Sequence, residues 1–147
     1  MTTTSTYPTA TVSRRTGRRI GYLAAILVNL LIYGFINVWP GWESFDFVTV
    51  EAADVVPLIN LSIAVTILVN LVYVVYDGYR VKALGETITS AVTLLVSIVV
   101  LSVFPFDFSA YAFPWTLLTR IVLLVAVLGS GIAIIVNLGR LIRGPRS

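Results

Sequence analysis

Polar side chains recur at helical spacing inside apolar segments of this chain. They are the residues in these segments that could form hydrogen bonds or bind an ion. In one segment Ser62, Thr66, Asn70, Tyr73 and Asp77 follow one another every three or four positions. This spacing places them on one face of a helix. In a hydrocarbon layer each such group needs a partner, the protein interior or water. The pattern therefore predicts either a helix interface or the wall of a polar cavity.

Comparable stripes occur in three other apolar segments. If all four stripes face inward, they form a candidate polar vestibule that opens to the cytoplasm. Its residues are Asn29, Asn70, Tyr73, Asp77, Glu86, Ser90, Thr93, Asn137 and Arg140. A cation would bind at Asp77 or Glu86, and an anion at Arg140. The alternative is packing, in which amides bond across helices for about 0.6 kcal/mol each.

Charged residues near the ends of the segments suggest two ionic contacts. Asp77 and Glu86 fall short of mid-membrane depth, which favours ion pairs at the inner mouth over a proton relay. Their candidate partners are Arg80, Lys82 and Arg140. On the opposite side, Arg120 and Asp107 form a candidate outer clamp between two loops. Snorkelling of Arg120 to the lipid headgroups is the alternative for that side chain.

The composition excludes most catalytic chemistry. Of 147 residues, 58% are apolar and 12% are charged, against about 45–50% and about 25% in soluble domains. The chain contains neither Cys nor His, which removes thiol nucleophiles, thiolate or imidazole ligands and histidine bases. No phosphate-binding or dinucleotide-binding glycine motif is present. We therefore expect no enzyme activity, no cofactor and no catalytic or metal site.

Four apolar segments define the elements that must position the stripes. Each is about 20 residues or longer, enough to cross a bilayer, so the fold class is all-α, an integral membrane bundle of four transmembrane helices. The spans are predicted at residues 20–39, 55–76, 83–104 and 115–142. Pro57 falls in the first turn of the second span, where proline is tolerated. Residues 1–19 are predicted to form a disordered basic tail, and residues 143–147 a second basic tail.

The charge distribution predicts the orientation. Nine of the ten Lys and Arg residues fall on one side of four spans, while the loops 40–54 and 105–114 carry five acids and no Lys or Arg. Basic loops stay in the cytoplasm, so both termini are predicted to be cytoplasmic in a plasma membrane. The tail arginines would meet anionic inner-leaflet lipids rather than nucleic acid. Aromatic residues gather at both boundaries, as interfacial belts do.

Weak internal similarity suggests a duplicated hairpin. The tripeptide at residues 45–47, Phe-Asp-Phe, recurs at residues 106–108. Duplication of a two-helix unit would give a pseudo-twofold axis along the membrane normal.

Three runs, Asn37 to Trp42, Tyr76 to Gly85 and Val103 to Phe108, resemble small four-span bacterial integral membrane proteins. This resemblance implies a fold and a bacterial cell membrane, and it implies no active site. The leading hypothesis is a non-enzymatic accessory or scaffolding subunit. The expected partners are the lipid bilayer and either further copies of the chain in a homo-oligomer or a larger membrane complex. The alternative is a small oligomeric transporter or channel that uses the vestibule.

Overall fold

Four long helices account for most of the chain in the computed structural model, which describes residues 9–144. The elements are α1 (Thr9–Asn37), a single 3-10 turn (Trp42–Ser44), α2 (Ala52–Val75), α3 (Tyr79–Val103) and α4 (Trp115–Arg143). Each of the four long helices is long and apolar enough to cross a membrane. The architecture is therefore all-helical, as the composition predicts.

Three of the four helices begin earlier than predicted, and α3 begins at Tyr79 rather than at residue 83. Helix α1 begins at Thr9, so the basic segment that was predicted to be disordered is helical from there, in keeping with the good helix propensity of arginine. Helix α2 begins at Ala52 and contains Pro57. The prediction that this proline lies in the first turn is therefore wrong. The remainder of the two predicted tails, residues 1–8 and 145–147, lies outside the described residues.

The helices pack as a row in chain order rather than as a closed bundle. In the described part of the chain α1 packs on α2, α2 on α3, and α3 on α4, without extensive contact between α1 and α4. The buried residues of the described chain accordingly come mainly from α2 and α3. Those of α2 and α3 are Ala52, Val55, Ile63, Tyr73, Ala83, Gly85, Ser97 and Val100. A pseudo-twofold axis would give α1 and α4 a contact equivalent to the one between α2 and α3. No extensive contact of this kind is present among the described residues, so the predicted axis is not realised.

The two loops that were predicted to lie outside the membrane meet at what we name the loop end of the row. The Thr49 N–H donates to the Pro105 carbonyl at 3.0 Å, and the Asp107 N–H donates to the Phe47 carbonyl at 2.8 Å. The rings of Phe47 and Phe108 stack with centroids 5.4 Å apart. The two Phe-Asp-Phe tripeptides thus hold the loops together through backbone bonds and ring contacts.

Candidate polar site at the basic end of the helices

The opposite end of the row, named here the basic end, carries Arg18, Lys82 and Arg140. Asp77 lies there in the three-residue turn between α2 and α3. Its carboxylate pairs with the Arg18 guanidinium at 3.1 Å and accepts a hydrogen bond from the Tyr22 hydroxyl at 3.0 Å. Arg18 and Tyr22 are one helical turn apart on α1. Arg18 and Tyr22 therefore link α1 to the turn between α2 and α3 through Asp77.

Two tyrosines extend this contact toward α3. The rings of Tyr22 and Tyr73 lie 5.3 Å apart between centroids, and the Lys82 ammonium lies 5.5 Å from the Tyr22 ring centroid. The Tyr73 hydroxyl donates to the Lys82 carbonyl at 2.9 Å. Tyr73 is buried and packs against Gly85, where an added Cβ would collide with the tyrosine ring. The absence of a side chain at Gly85 therefore makes room for Tyr73.

A second polar group joins α3 to α4. One Arg140 nitrogen donates to the Glu86 carboxylate at 3.1 Å and to the Asn137 side-chain oxygen at 3.2 Å. Asn137 is only 5% exposed, so this hydrogen bond satisfies a buried amide oxygen. The predicted pairing of Arg140 with one of the two acids is confirmed for Glu86. Asp77 instead pairs with Arg18, which the prediction did not include.

The other predicted vestibule residues do not join these two groups. The Asn29 amide donates to the Ala25 carbonyl and the Asn70 amide to the Thr66 carbonyl, both at 2.8 Å and both within one helix. Ser90 is half-buried and Thr93 is exposed. Polar residues in a helix can satisfy themselves on the carbonyl four positions back. The spacing of polar residues therefore did not show which groups meet across helices.

The predicted outer clamp between Arg120 and Asp107 is wrong. The Asp107 carboxylate accepts the Ser109 backbone N–H at 2.9 Å, and this bond lowers the pKa of Asp107. The Arg120 guanidinium lies 4.7 Å from the Phe104 ring centroid. A short acidic side chain in a turn binds the N–H two residues on, and an arginine gains from an aromatic face. Asp107 therefore contacts Ser109, and Arg120 contacts Phe104.

The polar stripes of the sequence did not predict a reciprocal amide pair near the loop end. The Asn37 amide donates to the Asn60 side-chain oxygen at 2.8 Å, and the Asn60 amide donates back to Asn37 at 2.7 Å. Asn37 ends α1 and Asn60 lies in α2, so the pair joins the two helices. The sequence did offer one signal for this pair: the two asparagines lie near the adjoining ends of consecutive spans.

The polar site can neutralise charge and hold helices together, since Asp77 and Glu86 each contact a cation of the chain itself. In the part of the chain that is described, no group of three or more acidic side chains could hold a metal ion. Comparisons with protein-family models, with curated proteins and with solved structures find no match. The contacts above therefore carry the functional conclusions.

Proposed function

We propose that the chain is a non-enzymatic, multi-pass protein of the bacterial plasma membrane that acts as an accessory or scaffolding subunit. In this proposal both termini are cytoplasmic, and the basic end lies at the inner leaflet. The observation that carries it is the open row of helices. Because α1 and α4 do not close on each other, their outer flanks are available to helices of another membrane protein.

The two terminal helices carry exposed apolar residues on which such a partner would pack. Leu31 of α1 is 64% exposed and Ile132 of α4 is 62% exposed. An added Cβ at Gly129 would meet no atom within 4 Å, so this small residue is not used for packing inside the chain. Small residues on membrane helices allow close approach of a second helix. A partner that packs on α1 or α4 would use these surfaces.

The transporter alternative receives less support from the contacts. A vestibule needs polar groups that are free to bind a substrate, whereas Asn29 and Asn70 bond to their own helix. Asp77 and Glu86 are paired with arginines. The accessory-subunit proposal does not require any of these groups to be free.

Site-specific crosslinking tests the proposal. A photoreactive amino acid replaces Leu31 or Ile132, and Leu68 of the central helix α2, which is 62% exposed, serves as the matched control. The full chain is irradiated in its native membrane. We expect protein adducts of fixed stoichiometry at position 31 or 132 and lipid adducts at position 68. Lipid adducts alone at all three positions would contradict a scaffolding role, and adducts only to a second copy would favour the transporter.

Cysteine labelling tests the orientation separately. The chain lacks cysteine, so Ser44→Cys, Ser109→Cys and Ser147→Cys each introduce a single thiol. An impermeant maleimide should label the two loop cysteines in intact cells and the terminal cysteine only after permeabilisation. The reverse pattern would overturn the proposed orientation.

A further inference from the structure

A cleft at the basic end lies between the arginines of α1 and the end of α2. It has a volume of about 360 Å³, with Arg15, Arg18 and Arg19 on the α1 side and Val75 and Tyr76 among the residues on the other. Ligand sites in proteins commonly have volumes of about 300–1,000 Å³. The cleft is therefore large enough for a small polar group.

The charge in this cleft is mainly positive and only partly neutralised. Asp77, the one carboxylate among the described lining residues, is paired with Arg18 at 3.1 Å. Arg15 and Arg19 have no ion pair with an acid among residues 9–144, and their spacing of four places them on one face of α1. Guanidinium groups donate paired hydrogen bonds that match phosphate geometry. The cleft thus suits a phosphate group.

An apolar groove continues from the cleft. Leu71, Val72, Val75, Tyr76 and Val81 line this groove, which has a volume of about 450 Å³. Val75 and Tyr76 line both spaces, and they are 78% and 68% exposed. The surface therefore changes from cationic to apolar across two shared residues. An amphipathic ligand with an anionic head and a hydrocarbon chain matches this change.

We infer that the cleft and the groove together bind one anionic glycerophospholipid. Its phosphate contacts Arg15 and Arg19, and one acyl chain lies along Leu71, Val75 and Val81. Val75 ends the second candidate span, which places the arginines at the depth of the headgroups. This inference rests on the membrane insertion in the proposed function and adds a defined lipid site to it.

Lipid titration of the purified full-length chain tests the site. Phosphatidylglycerol or phosphatidylcholine is added to the protein in detergent, and bound lipid is counted by native mass spectrometry. We expect the wild-type chain to prefer phosphatidylglycerol. The R15Q/R19Q variant should bind phosphatidylglycerol about 30-fold more weakly, from about fivefold for each arginine. The matched control R80Q/R143Q removes the same charge from the same end outside the cleft, and its affinity should be unchanged.

A second variant tests the acyl groove without altering any charge. Leu71→Trp fills the groove at a residue that does not line the cleft, and it should weaken phosphatidylglycerol binding. Glycerol 3-phosphate, which has no acyl chain, should not compete with the lipid. Equal loss of binding in R80Q/R143Q, equal affinity for phosphatidylcholine, or effective competition by glycerol 3-phosphate would each overturn the inference. Cysteine labelling reports membrane insertion independently, so failure of the lipid site is distinguishable from failure of the proposed function.

Discussion

Replacing Gly85 by alanine perturbs a tight contact between α2 and α3. An added Cβ would lie 2.7 Å from a methyl carbon of Val69 and 2.8 Å from the Tyr73 ring carbon that carries the hydroxyl. Tyr73 is 6% exposed, and its hydroxyl donates to the Lys82 carbonyl at 2.9 Å. The ring therefore cannot withdraw without giving up this bond and disturbing its neighbours. We expect α2 and α3 to separate locally.

The magnitude follows from three opposing contributions. Overpacking of a filled site costs about 1–3 kcal/mol, and loss of the Tyr73 hydrogen bond costs about 1 kcal/mol. Alanine recovers about 1 kcal/mol relative to glycine in a helix. Gly85→Ala should therefore lower the free energy of unfolding by about 2 kcal/mol.

Reversible unfolding in mixed micelles, followed by circular dichroism, measures this change. Gly129→Ala is the matched control, because it makes the same substitution where an added Cβ meets no atom within 4 Å. The control should be neutral or stabilising by up to about 1 kcal/mol. Tyr73→Phe in the Gly85→Ala background removes the hydroxyl nearest the new methyl group and should cost less than Tyr73→Phe alone. Equal stability of the two alanine variants would refute the packing argument.

Substitutions at three further polar contacts can be measured by the same unfolding assay. Asn37→Leu and Asn60→Leu should each lower the free energy of unfolding by about 1 kcal/mol. The double variant should lower it by less than the sum of the two, because neither amide is then left without its partner. Additive losses would contradict the reciprocal pair. Asn70→Leu should change stability by less than about 0.5 kcal/mol, since Asn70 bonds only within its helix, and a larger loss would indicate an interhelical role. Arg140→Met should lower the free energy of unfolding by about 1 kcal/mol. The double variant Glu86→Arg/Arg140→Glu exchanges the two charges and should recover part of this loss. No recovery would show that the ion pair is not responsible.

The sequence predicted the number and type of the elements well, because about 20 apolar residues have few alternatives to a membrane-length helix. Boundaries were less predictable. The start of α1 at Thr9 depends on helix propensity in a segment that is too polar to be recognised as a span. The start of α2 at Ala52 places Pro57 inside the helix, where a proline rule alone predicts an end.

The arrangement of the helices could not be deduced from one stripe per helix. A central helix in a row packs on two neighbours, so α2 and α3 need two contact faces where the stripes show one. Because the stripes do not show which helices are neighbours, only some of the contacts between site residues could be predicted. The Glu86 and Arg140 pair follows from opposite charges at adjoining helix ends, whereas the partnership of Arg18 with Asp77 requires α1 to continue as a helix through its basic segment.

The polar contacts between helices concentrate at the two ends of the row. At the basic end, Asp77 and Glu86 each receive an arginine, and at the loop end the Asn37 and Asn60 amides bond to each other. Between these ends, the described hydrogen bond of the Asn70 side chain stays within its own helix. Since polar side chains in lipid stabilise whichever contact satisfies them, the middle of the row depends on apolar packing. If a membrane helix packs on α1 or α4 as proposed, fixed ends and an apolar middle would let it do so without breaking the polar contacts described above.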